Sequence, residues 1–178
     1  MPGVDGFYLG LLHPLSTPAQ ACLMTGLGLL AGALGPERAK WICLAFLLTS
    51  LGGVMAGAAG AELDAVLFCL AFLCSALAAL IPGGLVLLGV ALAATGGALI
   101  GIVSVPDPGP AADRMFTMSG SVVGANLALL YLFGAVHFVQ TRFSLPWVRV
   151  ALRVVAAWVG AISVLMLALT VSGPTAVA

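Results

Sequence analysis

An all-α integral membrane protein, built as a bundle of six transmembrane helices, is the fold this sequence predicts. Three observations carry that expectation. The chain is 62% hydrophobic and only 7% charged, with a mean hydropathy of +1.23. Soluble domains carry about a quarter charged residues, and a water-soluble core cannot hide this much apolar surface. The apolar residues fall into runs close to the roughly 20 needed to cross a bilayer, separated by short turns rich in Pro, Gly and charge. The charges also sort by sign onto alternate turns. With six basic and six acidic residues the net charge is zero. Nothing recommends a nucleic-acid partner, and the partner the composition demands is the lipid bilayer.

Residues 1–12 form a short tail in which Asp5 precedes Gly6-Phe7-Tyr8-Leu9-Gly10-Leu11-Leu12. That run is too short to span, so it is expected to lie at the interface or to enter as a re-entrant piece. No basic residue precedes it, and a cleavable secretory signal is not expected. In His13-Pro14-Leu15-Ser16-Thr17-Pro18 the two prolines are expected to interrupt any helix, because proline lacks the N–H and restricts the residue before it. Thr17 and Pro18 suit the N-cap and first helical position, which places the first span at about 18–34. The charged turn from Gly35 to Lys40 leads into a second span at about 39–59, with Trp41 anchoring its entrance.

Glu62 and Asp64 open the third span, about 63–81, where acids suit the positive end of a helix dipole. Pro82-Gly83-Gly84 reverses the chain into the fourth, about 85–105. Pro106-Asp107-Pro108-Gly109-Pro110 is the clearest loop, and the fifth span follows at about 115–139. Ser144-Leu145-Pro146 caps the sixth, about 147–171. All connections are short, so the chain reads as one transmembrane domain.

An even number of spans puts both termini on one side, together with Asp5, Glu62, Asp64, Asp107, Asp113 and Arg114. The opposite side carries Glu37 against Arg38, Lys40, Arg142, Arg149 and Arg153. By the positive-inside rule that second face is cytoplasmic and both termini lie outside.

Four GxxxG pairs mark close helix approach: Gly28–Gly32, Gly53–Gly57, Gly97–Gly101 and Gly120–Gly124. They serve packing within the chain, or else a face for a homo-oligomer or a larger membrane complex. Cys22, Cys43, Cys69 and Cys74 lie inside apolar runs without CxxC spacing and are expected to be small buried hydrophobes.

Candidate chemistry gathers at the start of the first span. His13 has two readings, one capping a turn carbonyl and the other serving as metal ligand or substrate contact. Gln20 and Met24 are four residues apart and share a helix face, and thiol and thioether groups such as Cys22 and Met24 suit soft ions or plain packing. Glu62, Asp64, Asp107 and Asp113 form an outer acidic rim able to concentrate cations, although all but Asp107 also sit where helix N-termini favour acids. Asn126, near the middle of the fifth span, is the main intramembrane polar residue, read as a pathway group or as a hydrogen-bonding tie between helices. His137, Gln140 and Arg153 lie near the basic end, within reach of water. There is no Ser-His-Asp set, no HExxH and no phosphate loop, so enzymatic activity is not expected.

Gly6-Phe7, Leu12-His13-Pro14-Leu15-Ser16 and Met24-Thr25-Gly26-Leu27-Gly28-Leu29-Leu30-Ala31, with Trp41, Leu44-Ala45-Phe46-Leu47 and the Arg153 to Gly160-Ala161 segment, give the chain a resemblance. It resembles the HupE/UreJ family of small bacterial membrane proteins, nickel permeases associated with hydrogenase and urease maturation. The resemblance implies a multi-pass protein of the bacterial inner membrane with periplasmic termini. It also implies divalent-metal permeation, with Ni2+ or Co2+ as cargo rather than a resident cofactor. His13 and Met24 fall on the family's pattern, and the expected ion pathway joins His13, as the metal contact, to Gln20, Met24, Asp107 and Asn126. The family's Asp-His pair falls here on Ala19 and Gln20, and its later histidine motif falls on the histidine-free stretch Ile102 to Asp107. The competing expectation is a non-transporting structural or accessory subunit of a larger membrane complex.

Overall fold

The computed structural model describes residues 4–57, 62–106, 111–143 and 145–172. These residues form seven helices and no strand: α1 Val4–Ser16, α2 Pro18–Leu34, α3 Pro36–Ala56, α4 Asp64–Leu80, α5 Val86–Val103, α6 Ala111–Arg142 and α7 Pro146–Ser172. Four of them (α3, α5, α6 and α7) are long and apolar enough to cross a membrane, and a fifth span is reached if α1 and α2 are counted as one bent pair. At 17 residues, α4 rises about 25 Å, slightly less than a typical hydrocarbon core.

Although the count of helices able to cross is four or five, helices α2 to α7 fall on the stretches expected as spans to within a few residues. The punctuation explains why. Gly35 reverses the chain at φ +76° and Gly83 at φ +82°, conformations open to glycine because it has no Cβ. Pro36 and Pro146 then occupy first helical positions.

The N-terminal run departs from expectation. Residues 4–16 form α1, and Pro14 lies inside it, so the first proline does not interrupt the helix as expected. The chain breaks three residues later, at Thr17 (φ −90°, ψ 117°). Thr17 takes the extended conformation that a following proline favours, whereas His13 before Pro14 stays helical, so the break falls at the second proline and not at the first. The two helices meet at 69°.

Glycine contacts define the arrangement. A Cβ at Gly10 would strike the backbone of Thr117, and at Gly120 or Gly124 that of Phe7 or Leu11, so α1 lies along the first half of α6 and runs the same way. Gly28 and Gly32 of α2 face Leu132 and Val136 in its second half. Gly53 and Gly57 of α3 meet Ala98, Ile102 and Val105 of α5, and Gly97 and Gly101 return the contact to Phe46 and Ser50. All four GxxxG pairs are therefore occupied by the chain's own helices, and an assembly with other chains would need a different surface.

Helices α2, α4 and α6 run in one direction and α3, α5 and α7 in the other. The sense follows from paired contacts such as Gly160 with Ser75 and Arg153 with Ala79. The core centres on α2, where 12 of 17 residues are buried, among them Leu23, Met24, Leu27 and Leu30. Ile42, Phe46, Leu67, Ala71, Cys74, Ile100 and Leu129 close around it. The outer surfaces are apolar, with Leu48, Met55, Leu87, Tyr131 and Trp158 exposed. That is the pattern of a bundle whose solvent is lipid. Of the cysteines only Cys74 is fully buried, while Cys69 is on the exposed surface, because α4 turns that side outward.

Charge divides between the two ends. Arg38, Lys40, Arg142, Arg149 and Arg153 stand where α2–α3, α4–α5 and α6–α7 connect. Arg38 donates to the Gly83 carbonyl at 3.4 Å, tying two of these turns together. Glu62, Asp64, Asp113 and Arg114 stand at the other end.

Candidate functional site

The break between α1 and α2 is the one place where the central helix of the bundle begins with polar side chains. The His13 carbonyl, near the end of α1, accepts from the Thr17 amide at 3.1 Å and from the Ser16 hydroxyl at 3.0 Å. Thr17 occupies the N-cap position of α2, but its hydroxyl makes no capping bond. Ala21 N donates to the Thr17 carbonyl at 2.9 Å and carries the helix onward. The carbonyl end of one short helix thus meets the amide end of the next, and the two partial charges oppose each other across the break.

Into this break projects Gln20, which is fully buried. Its amide nitrogen lies 3.4 Å from His13 Nε2. With that nitrogen donating, the imidazole accepts at Nε2 and carries its proton on Nδ1. Gln20 Oε1 has no partner, although it is shielded from solvent. The His13 ring therefore does not cap a turn carbonyl; its own carbonyl is the one capped, by Ser16. Met24 lies one helical turn beyond Gln20, fully buried in the apolar core.

The remaining expected residues are placed elsewhere. Asn126 donates to the Val122 carbonyl at 2.9 Å and to Ser50 Oγ at 3.2 Å, joining α6 to α3. It also borders an apolar groove of about 500 Å³ between those helices, with Leu47, Leu129 and Phe133. No hydrogen bond links it to His13 or Gln20. Asp107 lies outside the described residues. Glu62 and Asp64 are exposed, and Asp113 is half-buried at the start of α6.

Among the described residues no three His, Cys, Asp or Glu side chains converge as a metal-holding group. What the break offers is one imidazole and one amide. Two buried serines also have unpartnered hydroxyls: Ser121, beside Gly10 where α1 crosses α6, and Ser75, beside Gly26 where α2 crosses α4. Neither stands out in the sequence except as a small residue near a glycine pair.

Comparison of the chain with family models, with curated proteins and with solved structures gives no match, so the reading of this site rests on its own geometry.

Proposed function

We propose that this protein is a six-span permease of the bacterial inner membrane. In this reading the α1–α2 pair forms a single broken first span, and both termini are periplasmic. The cargo meets the chain at the break. One observation carries the reading: Gln20 Oε1 is buried and unpartnered beside His13 in the first turn of the most enclosed helix. Discontinuous spans supply binding groups in secondary transporters because irregular backbone inside a membrane is tolerated where it faces protein or cargo. The division of charge between the two ends supports the orientation by the positive-inside rule.

The cargo proposed is a first-row divalent cation, Ni2+ or Co2+, as the resemblance implies. Imidazole nitrogen suits such ions. Rotation of the Gln20 amide would turn Oε1 toward His13 and present two acceptors to one ion. Two neutral ligands hold a divalent cation weakly, which suits passage rather than storage. Met24 lines the next turn.

A second reading, an accessory subunit in a larger membrane complex, is favoured by α7. Only four of its 27 residues (Val148, Ala156, Gly160 and Ser163) are buried, and Trp158 is 70% exposed. Uptake of radioactive nickel and cobalt by cells expressing the chain separates the two readings. Transport predicts uptake above background, reduced about tenfold or more by His13→Ala; wild-type uptake at background would sink it.

A further inference from the structure

At the basic end, α2, α4, α6 and α7 surround a cleft of about 320 Å³ bordered by Ala33, Pro82, Gln140, Arg149, Leu152 and Arg153. Arg149 and Arg153 are one helical turn apart on α7 and border the same cleft. Arg153 is held in place, because its Nε donates to the Ala79 carbonyl near the end of α4 at 2.6 Å. That bond caps a helix end, and it leaves the guanidinium's terminal nitrogens without a partner among the described residues. Neither arginine has an acidic partner there; Glu37, the acid nearest in the turns of this end, is engaged with Lys40 at 2.8 Å. Gln140 adds an amide with no hydrogen bond among the described residues.

The cleft continues into apolar space. Leu29, Val136 and Leu152 also border a cavity of about 230 Å³ with Leu132, Val139 and Val155. Val139, Leu152 and Val155 in turn border another of about 240 Å³. The cause is the packing. Although α6 and α7 are consecutive, α7 leans on α4, through Gly160 and Arg153, while α6 leans on α1 and α2. A groove remains between them, leading from the two arginines into hydrocarbon.

We propose that this cleft binds one anionic phospholipid. Its phosphate is held by Arg149 and Arg153, with Gln140 beside the headgroup, and an acyl chain lies in the groove between α6 and α7. Guanidinium forks match phosphate oxygens, and basic pockets between membrane helices select anionic headgroups. A free phosphate ion would use the same arginines, but only a lipid uses the groove.

The test is native mass spectrometry of the full chain in mild detergent with phosphatidylglycerol, phosphatidylcholine or inorganic phosphate. The expected result is one retained phosphatidylglycerol per chain, preferred over phosphatidylcholine by about tenfold. Arg149→Gln should weaken it about fivefold, the loss of about 1 kcal/mol per basic group near a membrane surface. Val155→Trp, which fills the groove and leaves both arginines, should weaken phosphatidylglycerol without changing any phosphate binding. Equal retention of the two lipids, or no effect of Arg149→Gln, would overturn the proposal. Displacement by millimolar phosphate together with an indifferent Val155→Trp would mark a free-anion site and overturn it as well. Arg149 makes no hydrogen bond to another described residue, so its substitution is read on folded protein even where the double substitution with Arg153→Gln fails to fold.

Discussion

Gln20 Oε1, without a donor in a buried position, carries a desolvation cost of about 1–3 kcal/mol. Replacement by an apolar residue of similar size removes that cost. Gln20→Leu is therefore expected to raise the melting temperature in detergent, by an amount equivalent to about 1 kcal/mol, while abolishing cargo passage. A loss of stability of similar size would identify Gln20 as a structural tie instead. Asn126→Leu is expected to behave oppositely, losing about 0.5–1 kcal/mol, because its bond to Ser50 joins two helices. Both residues were conspicuous in the sequence as amides inside apolar runs, but their pairings were not. In an unbroken helix His13 and Gln20 would stand about 10 Å apart along the axis. The bend at Thr17 brings their side chains to 3.4 Å, a closure that no spacing rule expresses. Asn126 and Ser50 are separated by 76 positions, and only the packing of α3 on α6 pairs them.

Among the elements, α1 is where reading and structure diverge. The other six helices were legible because Gly35, the Pro82-Gly83-Gly84 reversal and Pro146 punctuate them. Residues 7–12 are too short to span by themselves, and the sequence run alone does not show the helix extending over residues 4–16. A usable signal was present: Gly6 and Gly10 are themselves four apart and pack against Asp113, Thr117 and Ser121, on the helix whose Gly120 and Gly124 meet Phe7 and Leu11. Docking of α1 on α6 rests on backbone contact at these glycines. Gly124→Val would drive side-chain carbons into the Leu11 backbone, so it is expected to cost about 1–3 kcal/mol. Hydrogen exchange should then rise in residues 4–16 and stay unchanged in α3 and α5, whose mutual contact the substitution does not touch. Unchanged protection in α1 would contradict this account of its docking.

For the whole molecule, the alternation of helix direction and the division of charge support one another. The sequence already carried the charge pattern, since five of six basic residues fall on alternate turns. The packing order was not legible, because a hydropathy pattern records which residues meet lipid or protein but not which helices are neighbours. That α2 is central, and that α3 pairs with α5 rather than with α2, follows from where glycines admit backbone contact. The account places Arg142 on the cytoplasmic side and Asp64 on the periplasmic side. With the four native cysteines replaced by alanine, Arg142→Cys is expected to resist a membrane-impermeant thiol reagent in intact cells and to react after lysis, whereas Asp64→Cys reacts in both. The reverse pattern would invert the topology and place the acidic rim inside the cell.

The central claim is that the broken first span is a passage for a divalent cation. The most direct measurement is nickel or cobalt flux into sealed vesicles reconstituted with the purified chain, comparing wild type with His13→Ala, Gln20→Leu and Asn126→Leu at equal protein content. The account predicts flux in wild type and in Asn126→Leu, and a fall of about tenfold or more in the two substitutions at the break. Flux indistinguishable from empty vesicles in all four, or loss in Asn126→Leu with His13→Ala and Gln20→Leu unimpaired, would contradict it.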